Sequence, residues 1–538
     1  MTRRRGMLFA LLVVAALPYF VGLADSSIWD ANEAFYVETP REMIESGDYI
    51  DPSFNYEPRF NKPVLSYWVV AGFYHLFGVA VGVQRIPIAL SALALMAAAF
   101  GLGRALRSTP AGLWAALVIA TSPRVLMFAR RIFIDMWVTM FLALTLLFFA
   151  LVERYPERRR RYLVLMYIAA GFGMLTKGPV AIVLPALAIL VYLVVQGRLR
   201  EILRMRLVLG AVIVLAIVAP WYVALYARHG WEHIVGFFWG ENVARYADAV
   251  APERGWLFYP PVVLGDLFPW SLLLVSALVM RRSRLWRLFW IWIVVIVGFF
   301  TLSATKQDLY IFPITVAVAA LAGAALDNAT DPIEPDRGVT RWILALGGVL
   351  MIAAGVFVQR LFGGAGRVYQ LDATMPIVIV AMAGGLAVAV LAMRRRVFAA
   401  AAAIAVCLIA LNWIFVLRTL PSFERYKPVP PMSAEITARA SPDAAVLHYN
   451  VALPSMVFYT RRHVDQFYGD PTVMIEKIRG LREYYLVLRA EDYNVLRTEL
   501  PSPTCAIEKR PLFDVKLKNV LAREPLPDVL LVTNRCPQ

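Results

Sequence analysis

Long apolar runs follow one another through the first 420 residues of this chain, separated by short polar segments. A helix needs about 20 apolar residues to cross the hydrocarbon core of a bilayer, and the runs repeatedly approach that length. The pattern predicts a polytopic α-helical membrane protein with about 13 transmembrane helices. The predicted spans cover residues 7–24, 84–103, 110–128, 135–152, 162–176, 178–196, 207–227, 261–280, 286–303, 310–326, 342–361, 375–393 and 397–418.

Arginine clusters lie at every second junction between these spans, which is the pattern of cytoplasmic loops in membrane proteins. They predict a cytoplasmic N-terminus and an extracytoplasmic C-terminus. The clusters are Arg3 to Arg5, Arg104 with Arg107, Arg154 to Arg161, Arg198 to Arg206, Arg281 to Arg287, Arg337 with Arg341, and Arg394 to Arg396.

The outer segment 25–83 combines many charged side chains with interleaved aromatic ones. A solvated loop would explain the charges, but the aromatic residues favour a position in the membrane interface, where the charges face lipid head groups. Helical spacing over residues 32–46 and the short apolar run 64–77 predict two amphipathic interfacial helices that form the floor of a cavity. We therefore predict that 25–83 is the catalytic loop.

Charges on the other outer segments also depart from the positive-inside pattern, and charges retained at membrane depth mark functional candidates. Segment 228–260 is rich in aromatic residues, which fits a mobile element over a ligand or an ordinary interfacial belt. The segments are 124–134, the turn at 176–179, 228–260, 304–309 and 362–374.

Residues 421–538 contain no spanning run and form a second predicted domain, separate from the transmembrane domain 1–420. Strand-like stretches at 445–449, 484–488 and 529–532 alternate with helical stretches at 433–439, 472–479 and 491–496. This alternation predicts a small extracytoplasmic α/β domain.

Composition excludes other classes of protein. Of the 538 residues, 60% are hydrophobic and 17% are charged, which is too apolar for a soluble globule. The net charge of +16 comes mostly from arginines at the membrane surface, so nucleic acid is not an expected partner. The first apolar run resembles a secretory signal with a cleavage point at Ala24, but its length favours an uncleaved helix.

The cysteines and the search for nucleotide-binding motifs give little further evidence about function. Cys407 falls in an apolar helix, whereas Cys505 and Cys536 lie in the C-terminal domain and are candidates for a disulfide if that domain is extracytoplasmic. The sequence contains no P-loop, no Rossmann fingerprint and no cysteine metal site, which argues against an ATP-driven pump and a nucleotide-sugar enzyme.

Group transfer on the outer face, where nucleotide-activated substrates are absent, requires a donor activated on a lipid, and a polyprenyl-phosphate sugar is the usual one. The cations Lys62, Lys177 and Lys306 and the phenol of Tyr310 could hold the phosphate leaving group, because the charge that develops on its bridging oxygen must be neutralised. A carboxylate from Asp30, Glu33 or Asp135 could accept the proton of an attacking hydroxyl, so these three are the predicted catalytic residues.

Five motifs together resemble the GT-C glycosyltransferases that use dolichyl- or polyprenyl-phosphate sugars, a family that includes the lipid A aminoarabinose transferase and, more distantly, the protein O-mannosyltransferases. The motifs are residues 31–43 (ANEAFYVETPREM) with 46–48 (SGD), 60–68 (FNKPVLSYW), 131–135 (RIFID), 175–179 (LTKGP) and 306–313 (KQDLYIFP).

This resemblance implies a GT-C fold and a bacterial inner-membrane glycosyltransferase. It would move a sugar from a polyprenyl-phosphate donor to a lipid, protein or glycan acceptor, with the C-terminal domain in the periplasm. The family's loop aspartate falls on Asp135, its lipid-phosphate lysines on Lys62 and Lys177, and its phosphate-binding tyrosine on Tyr310. The expected substrate-binding residues are Asn32, Tyr36, Asn61, Lys62, Arg130, Arg131, Lys177, Arg245, Lys306 and Tyr310.

Three positions depart from the family. Asn32 stands where the family has its principal catalytic aspartate, and because an amide cannot act as a base, Asp30 is the nearest substitute. Asn61 replaces a glutamate implicated in holding a divalent cation, so no metal ligand is assigned and the use of a divalent cation stays open. Phe35 replaces an arginine, so the sugar and the acceptor can both differ from aminoarabinose and lipid A.

Two other classes of function remain open. A transporter or lipid flippase would also be polytopic with buried charges, although paired repeats and broken helices at matching positions are not evident in the sequence. A non-catalytic lipid-binding protein would tolerate the amide at Asn32.

Overall fold

The computed structural model describes residues 3–30, 33–247, 254–280, 282–330, 337–364, 367–513 and 517–536, and it is mostly helical. Its α-helices are Arg3–Ala16, Glu33–Ser46, Leu65–Phe77, Val81–Leu106, Thr109–Thr121, Pro123–Ala129, Ile134–Arg154, Arg159–Lys177, Val180–Val195, Leu207–His229, Glu232–Val235, Arg245–Ala247, Tyr259–Asp266, Leu273–Leu278, Arg284–Leu302, Thr315–Asn328, Arg337–Phe362, Thr374–Met393, Val397–Ile414, Leu420–Phe423, Val429–Arg439, Ser455–Thr460, Thr472–Arg479, Ala490–Leu496 and Leu517–Ala522.

Short 3₁₀ and π segments connect or extend these helices. The 3₁₀ segments are Leu17–Tyr19, Pro156–Arg158, Leu199–Met205, Trp256–Phe258, Trp270–Leu272, Asp308–Ile314 and Glu424–Tyr426, and the π segments are Gly236–Ala244 and Phe415–Thr419.

The described residues contain eight helices long and apolar enough to cross a membrane, or up to ten if two bent pairs each count as one span. The polytopic class is thus confirmed, whereas the number of about 13 spans, predicted from apolar runs near 20 residues, is not confirmed. Some predicted spans are shorter as helices: Val180–Val195 has 16 residues, and Arg3–Ala16 ends in a 3₁₀ turn.

The two bent pairs are breaks that the apolar pattern did not reveal. Thr109–Thr121 and Pro123–Ala129 meet at 65°, and Trp256–Asp266 and Trp270–Leu278 meet at 111°. Pro123 opens the second helix of the first pair, where it lacks an N–H to continue the preceding helix. The predicted spans 110–128 and 261–280 therefore each contain a sharp bend.

Small residues let the innermost helices approach closely. A Cβ on Gly323 would lie 2.4 Å from the carbonyl oxygen of Ala111, so Thr315–Asn328 packs almost backbone to backbone on Thr109–Thr121. Close contact through small residues is the usual way in which transmembrane helices associate.

The outer segment 25–83 folds into the two predicted helices, Glu33–Ser46 and Leu65–Phe77, and a hairpin of β1 (Ser53–Phe54) and β2 (Glu57–Pro58). Most of Glu33–Ser46 is buried rather than lying open in the interface. The helix contacts Ser455–Thr460 of the C-terminal domain, so it lies between the two domains.

The C-terminal domain is built on one mixed sheet in the order β4 (Val464–Phe467), β3 (Ala445–Tyr449), β5 (Tyr484–Arg489), β7 (Asp528–Thr533), β6 (Cys505–Pro511). β3 pairs in parallel with β4 and β5, whereas β7 is antiparallel to β5 and β6. A disulfide joins Cys505 to Cys536, with Cα atoms 5.7 Å apart. The predicted class, a helical membrane region with a small α/β domain, is confirmed.

Candidate active site

A cavity of about 630 Å³ opens where several of the sequence motifs meet. It brings together residues that are far apart in the sequence: Tyr36, Asn61, Lys62, Asp135, Lys177 and Tyr310. Part of its wall is apolar and includes Val138 and Leu142. The arrangement combines a cationic polar end with an apolar wall, which suits an amphiphilic ligand.

Asp135 and Lys177 are placed by two neighbouring helices. Asp135 lies in the first turn of Ile134–Arg154, and Lys177 is the last residue of Arg159–Lys177, so each charge complements the dipole of its own helix. Their side chains form an ion pair. The Lys177 ammonium also lies 5.5 Å from the centre of the Tyr310 ring.

Lys62 forms the second ion pair of the cavity. Its Nζ lies 2.7 Å from Oε2 of Glu241 and donates to the carbonyl of Asn61 at 2.8 Å. Arg59 lines the same end, donates to the Tyr67 hydroxyl at 3.2 Å and stacks over the ring of Phe35 at 4.2 Å. Phe35, which stands where the family has an arginine, therefore packs against the guanidinium of Arg59.

Glu33 is a fixed structural carboxylate in this structure. Its two oxygens accept hydrogen bonds from Nε and Nη2 of Arg85 at 2.7 and 2.8 Å, and both residues are almost fully buried. Burial opposes ionisation, but the Arg85 guanidinium outweighs it and lowers the pKa of Glu33. Glu33 does not line the cavity.

Asp30 faces the C-terminal domain. Its Oδ1 accepts hydrogen bonds from the backbone N–H of Ser455, at 2.9 Å, and from the Ser455 hydroxyl. Burial raises the pKa of Asp30 to about 6, although the Ser455 hydrogen bonds and the nearby Lys427 ammonium act to lower it. Asp30 does not line the cavity either.

The raised pKa of Asp30 predicts a pH-dependent stability. The folded state binds the proton of the Asp30 carboxyl group more tightly than the unfolded state does. Protonated Asp30 therefore contributes to the stability of the fold at low pH, and this contribution is lost as the pH rises from about 4 to about 6. We expect Asp30→Asn to remove this loss, as measured by melting temperatures in detergent from pH 4 to 7. Asp25→Asn, which changes an exposed carboxylate, is the control, and parallel curves for wild type and Asp30→Asn would contradict the prediction.

The remaining predicted residues lie outside the cavity lining. Arg130 donates to the carbonyls of Pro18, Val21 and Gly22 and so fixes the end of the first helix. The Arg131 guanidinium lies 3.3 Å from the centre of the Trp29 ring, and burial lowers its pKa to about 9. Lys306 donates to the carbonyl of Ser303 at 2.8 Å.

Two predicted residues cannot be placed. Asn32 lies outside the described residues, and of Arg245 the backbone is described but the side chain is not.

The polar cavity-lining residues left out of the predicted site set include Arg59, Glu241 and Gln307. Each carried a signal, because Arg59 and Gln307 stand next to or inside the quoted motifs and Glu241 is an outer-face charge. Arg85 was missed because it lies inside an apolar run.

The described residues contain no group of three His, Cys, Asp or Glu side chains that could hold a metal ion. Asn61 provides no carboxylate at the cavity, and the Glu241 carboxylate is engaged by Lys62. These residues do not fit the divalent cation that the family resemblance implies.

Comparison with known proteins supports the resemblance. Residues 61–223 match the family described as dolichyl-phosphate-mannose-protein mannosyltransferase. An undecaprenyl phosphate-α-4-amino-4-deoxy-L-arabinose arabinosyl transferase of Pseudomonas aeruginosa (strain LESB58) is 34% identical over 338 residues, which cover 60% of this chain and 60% of that protein. A transferase 2 of the same name from Pseudomonas fluorescens (strain Pf-5) is 31% identical over 345 residues, covering 62% and 58%. The chain thus spans 58% and 60% of the length of these relatives.

A crystal structure of ArnT from Cupriavidus metallidurans bound to undecaprenyl phosphate has the same fold. It superimposes with a TM-score of 0.81 at 22% identity and covers 99% of both chains. The predicted GT-C fold is confirmed, and so is the resemblance in sequence to the aminoarabinose transferases.

Proposed function

We propose that this chain, which resembles the undecaprenyl-phosphate aminoarabinose transferases in sequence and ArnT in fold, is a membrane glycosyltransferase. It transfers a sugar from a polyprenyl-phosphate donor to an acceptor on the outer face of the inner membrane. The observation that carries this proposal is the convergence of Lys62, Lys177 and Tyr310 on one cavity that also holds Asp135.

The chemistry of the cavity fits this reaction. When the glycosidic carbon leaves the donor, negative charge develops on the bridging phosphate oxygen and must be neutralised. Lys62 and Lys177 supply ammonium groups, and Tyr310 supplies a phenolic hydrogen-bond donor. Of the three predicted catalytic carboxylates, Asp135 is the one that lines this cavity. We therefore assign it the role of accepting the proton of the acceptor hydroxyl or of orienting the acceptor.

The direct test uses purified protein, a radiolabelled sugar on undecaprenyl phosphate, and lipid A as acceptor. We propose an aminopentose as the sugar, since the relatives are named for one, and a neutral hexose donor serves as the comparison. Transfer of label supports the proposal. Donor binding without transfer to lipid A or to a hydroxyl-bearing glycolipid would favour the binding or transport alternatives.

Removing either lysine is expected to weaken use of the donor. A hydrogen bond to a charged group is worth about 1.5–3 kcal/mol, so Lys62→Ala and Lys177→Ala should each lower kcat/KM by roughly 10- to 100-fold. Lys477→Ala, on the surface of the C-terminal domain, is the matched control. Wild-type kinetics in both cavity variants would reduce these lysines to interfacial anchors.

We propose that the N-terminus is cytoplasmic and the C-terminal domain periplasmic, because the arginine clusters alternate as described. A topology reporter fused after Gln538 should then indicate an extracytoplasmic position. A reporter inserted within 158–161 should indicate a cytoplasmic position. A result that places both fusion sites on the same side of the membrane would refute this topology.

A further inference from the structure

The two lysines of the cavity are both engaged by carboxylates, but the two ion pairs are built differently. Lys177 and Asp135 sit at the ends of two long adjacent helices, and both belong to the resemblance motifs. Lys62 is paired with Glu241, which lies 179 residues away in the sequence, on a separate outer segment. The second pair therefore links the outer segment 25–83 to an element, residues 232–247, that contributes to the cavity lining.

That element, residues 232–247, buries few of its side chains and is attached at its end, where Tyr246 bonds the backbone of Phe299 and Ala304. It consists of Glu232–Val235, the π segment Gly236–Ala244 and Arg245–Ala247. Only Ile234 and Phe237 are buried among the side chains described in it. Trp239 is 64% exposed, and the flanking Trp231 is 63% exposed. Elements with few buried apolar contacts open at low free-energy cost, and π segments often mark functional sites.

The Glu241 carboxylate has the charge of a phosphodiester and touches the lysine assigned to the donor phosphate. A phosphodiester that approaches Lys62 would place two anions beside one ammonium in a cavity with apolar walls. Burial weakens the screening of such charges by water, so their repulsion favours one occupant at a time.

We propose that Glu241 is a placeholder for the donor phosphate: it neutralises Lys62 in the empty cavity, and the phosphate of the lipid donor displaces it. Glu241 is then a positioning residue that sets the affinity for phosphate-bearing lipids and couples their entry to release of segment 232–247. This inference rests on the proposed function, because it requires a polyprenyl-phosphate ligand.

The test is the affinity of purified full-length protein for polyprenyl phosphate without a sugar, measured in detergent for wild type and Glu241→Gln. If Lys62 is available only about a tenth of the time, removal of its competitor should tighten binding by about tenfold. Glu241→Asp keeps the charge and should bind close to wild type. Glu232→Gln, an exposed carboxylate on the same segment, is the matched control and should leave the affinity unchanged.

A double variant separates exchange at Lys62 from a general change of charge. In a Lys62→Gln background, Glu241→Gln should no longer tighten binding, whereas an equal gain in both backgrounds would overturn the exchange. Monodisperse elution and an unchanged melting temperature show that the variants are folded.

The outcomes also distinguish this inference from the proposed function. Wild type that binds polyprenyl phosphate, with unchanged or weaker binding by Glu241→Gln, overturns the exchange and leaves the proposed function standing. If polyprenyl phosphate binds neither wild type nor Glu241→Gln, both the exchange at Lys62 and the proposed function are contradicted.

Discussion

Replacing Arg85 with leucine is expected to abolish most of the folded protein. Arg85 is 1% exposed and uses every nitrogen of its guanidinium: Nε and Nη2 bind Glu33, Nη1 binds the carbonyls of Leu23 and Ser26, and Nη2 also binds the carbonyl of Ser27. Removing one partner of a buried ion pair costs about 3–5 kcal/mol, because the other charge is left uncompensated. That is a large share of the stability of a typical domain.

The measurement is the folded fraction after detergent extraction, by size-exclusion chromatography of a fluorescent fusion. The double variant Arg85→Leu with Glu33→Gln removes both charges and should recover part of the folded yield. A normal yield for Arg85→Leu alone would show that this pair does not hold the outer segment 25–83.

The same pair decides the role of Glu33. If Glu33 acts only by fixing the loop, Glu33→Gln should lower the folded yield but leave turnover per folded molecule near that of wild type. A catalytic base would instead cost about 10²- to 10⁴-fold in turnover.

Features set by local pattern could be predicted from the sequence. The predicted helix at 32–46 is observed as Glu33–Ser46, and the predicted strand at 445–449 is observed as β3 over the same residues. Hydrophobic periodicity specifies such elements from neighbouring residues alone. Lys62, Lys177 and Tyr310 were also selected, because each lies in a recognisable motif.

Features set by long-range pairing could not be predicted. The partner of Asp30 is Ser455, 425 residues away, and the partner of Glu33 is an arginine inside an apolar helix. No periodicity encodes such contacts, so Asp30 and Glu33 could be taken only as nearby carboxylates. Asp135 was predicted with equal weight, and the structure distinguishes it by its position on the cavity.

Asp135→Asn is therefore expected to have the largest effect on turnover. With a hydroxyl acceptor, loss of a general base should lower kcat by about 10²- to 10⁴-fold, whereas Asp30→Asn should stay within a few-fold of wild type. Turnover is measured per folded molecule, and Lys177→Ala is the comparison that removes both the ion-pair partner of Asp135 and the ammonium group assigned to the donor phosphate. Normal turnover in Asp135→Asn, with loss in Asp30→Asn, would return the catalytic role to the residue that replaces the family's aspartate.

The choice of acceptor gives this experiment a second readout. A phosphate acceptor is already ionised at neutral pH and needs no base, so Asp135 would act on it only through orientation. We therefore expect Asp135→Asn to be more damaging with a hydroxyl acceptor than with a phosphate acceptor of the same lipid. Equal losses on both acceptors would mean that Asp135 serves to hold Lys177 against the donor phosphate and does not accept a proton.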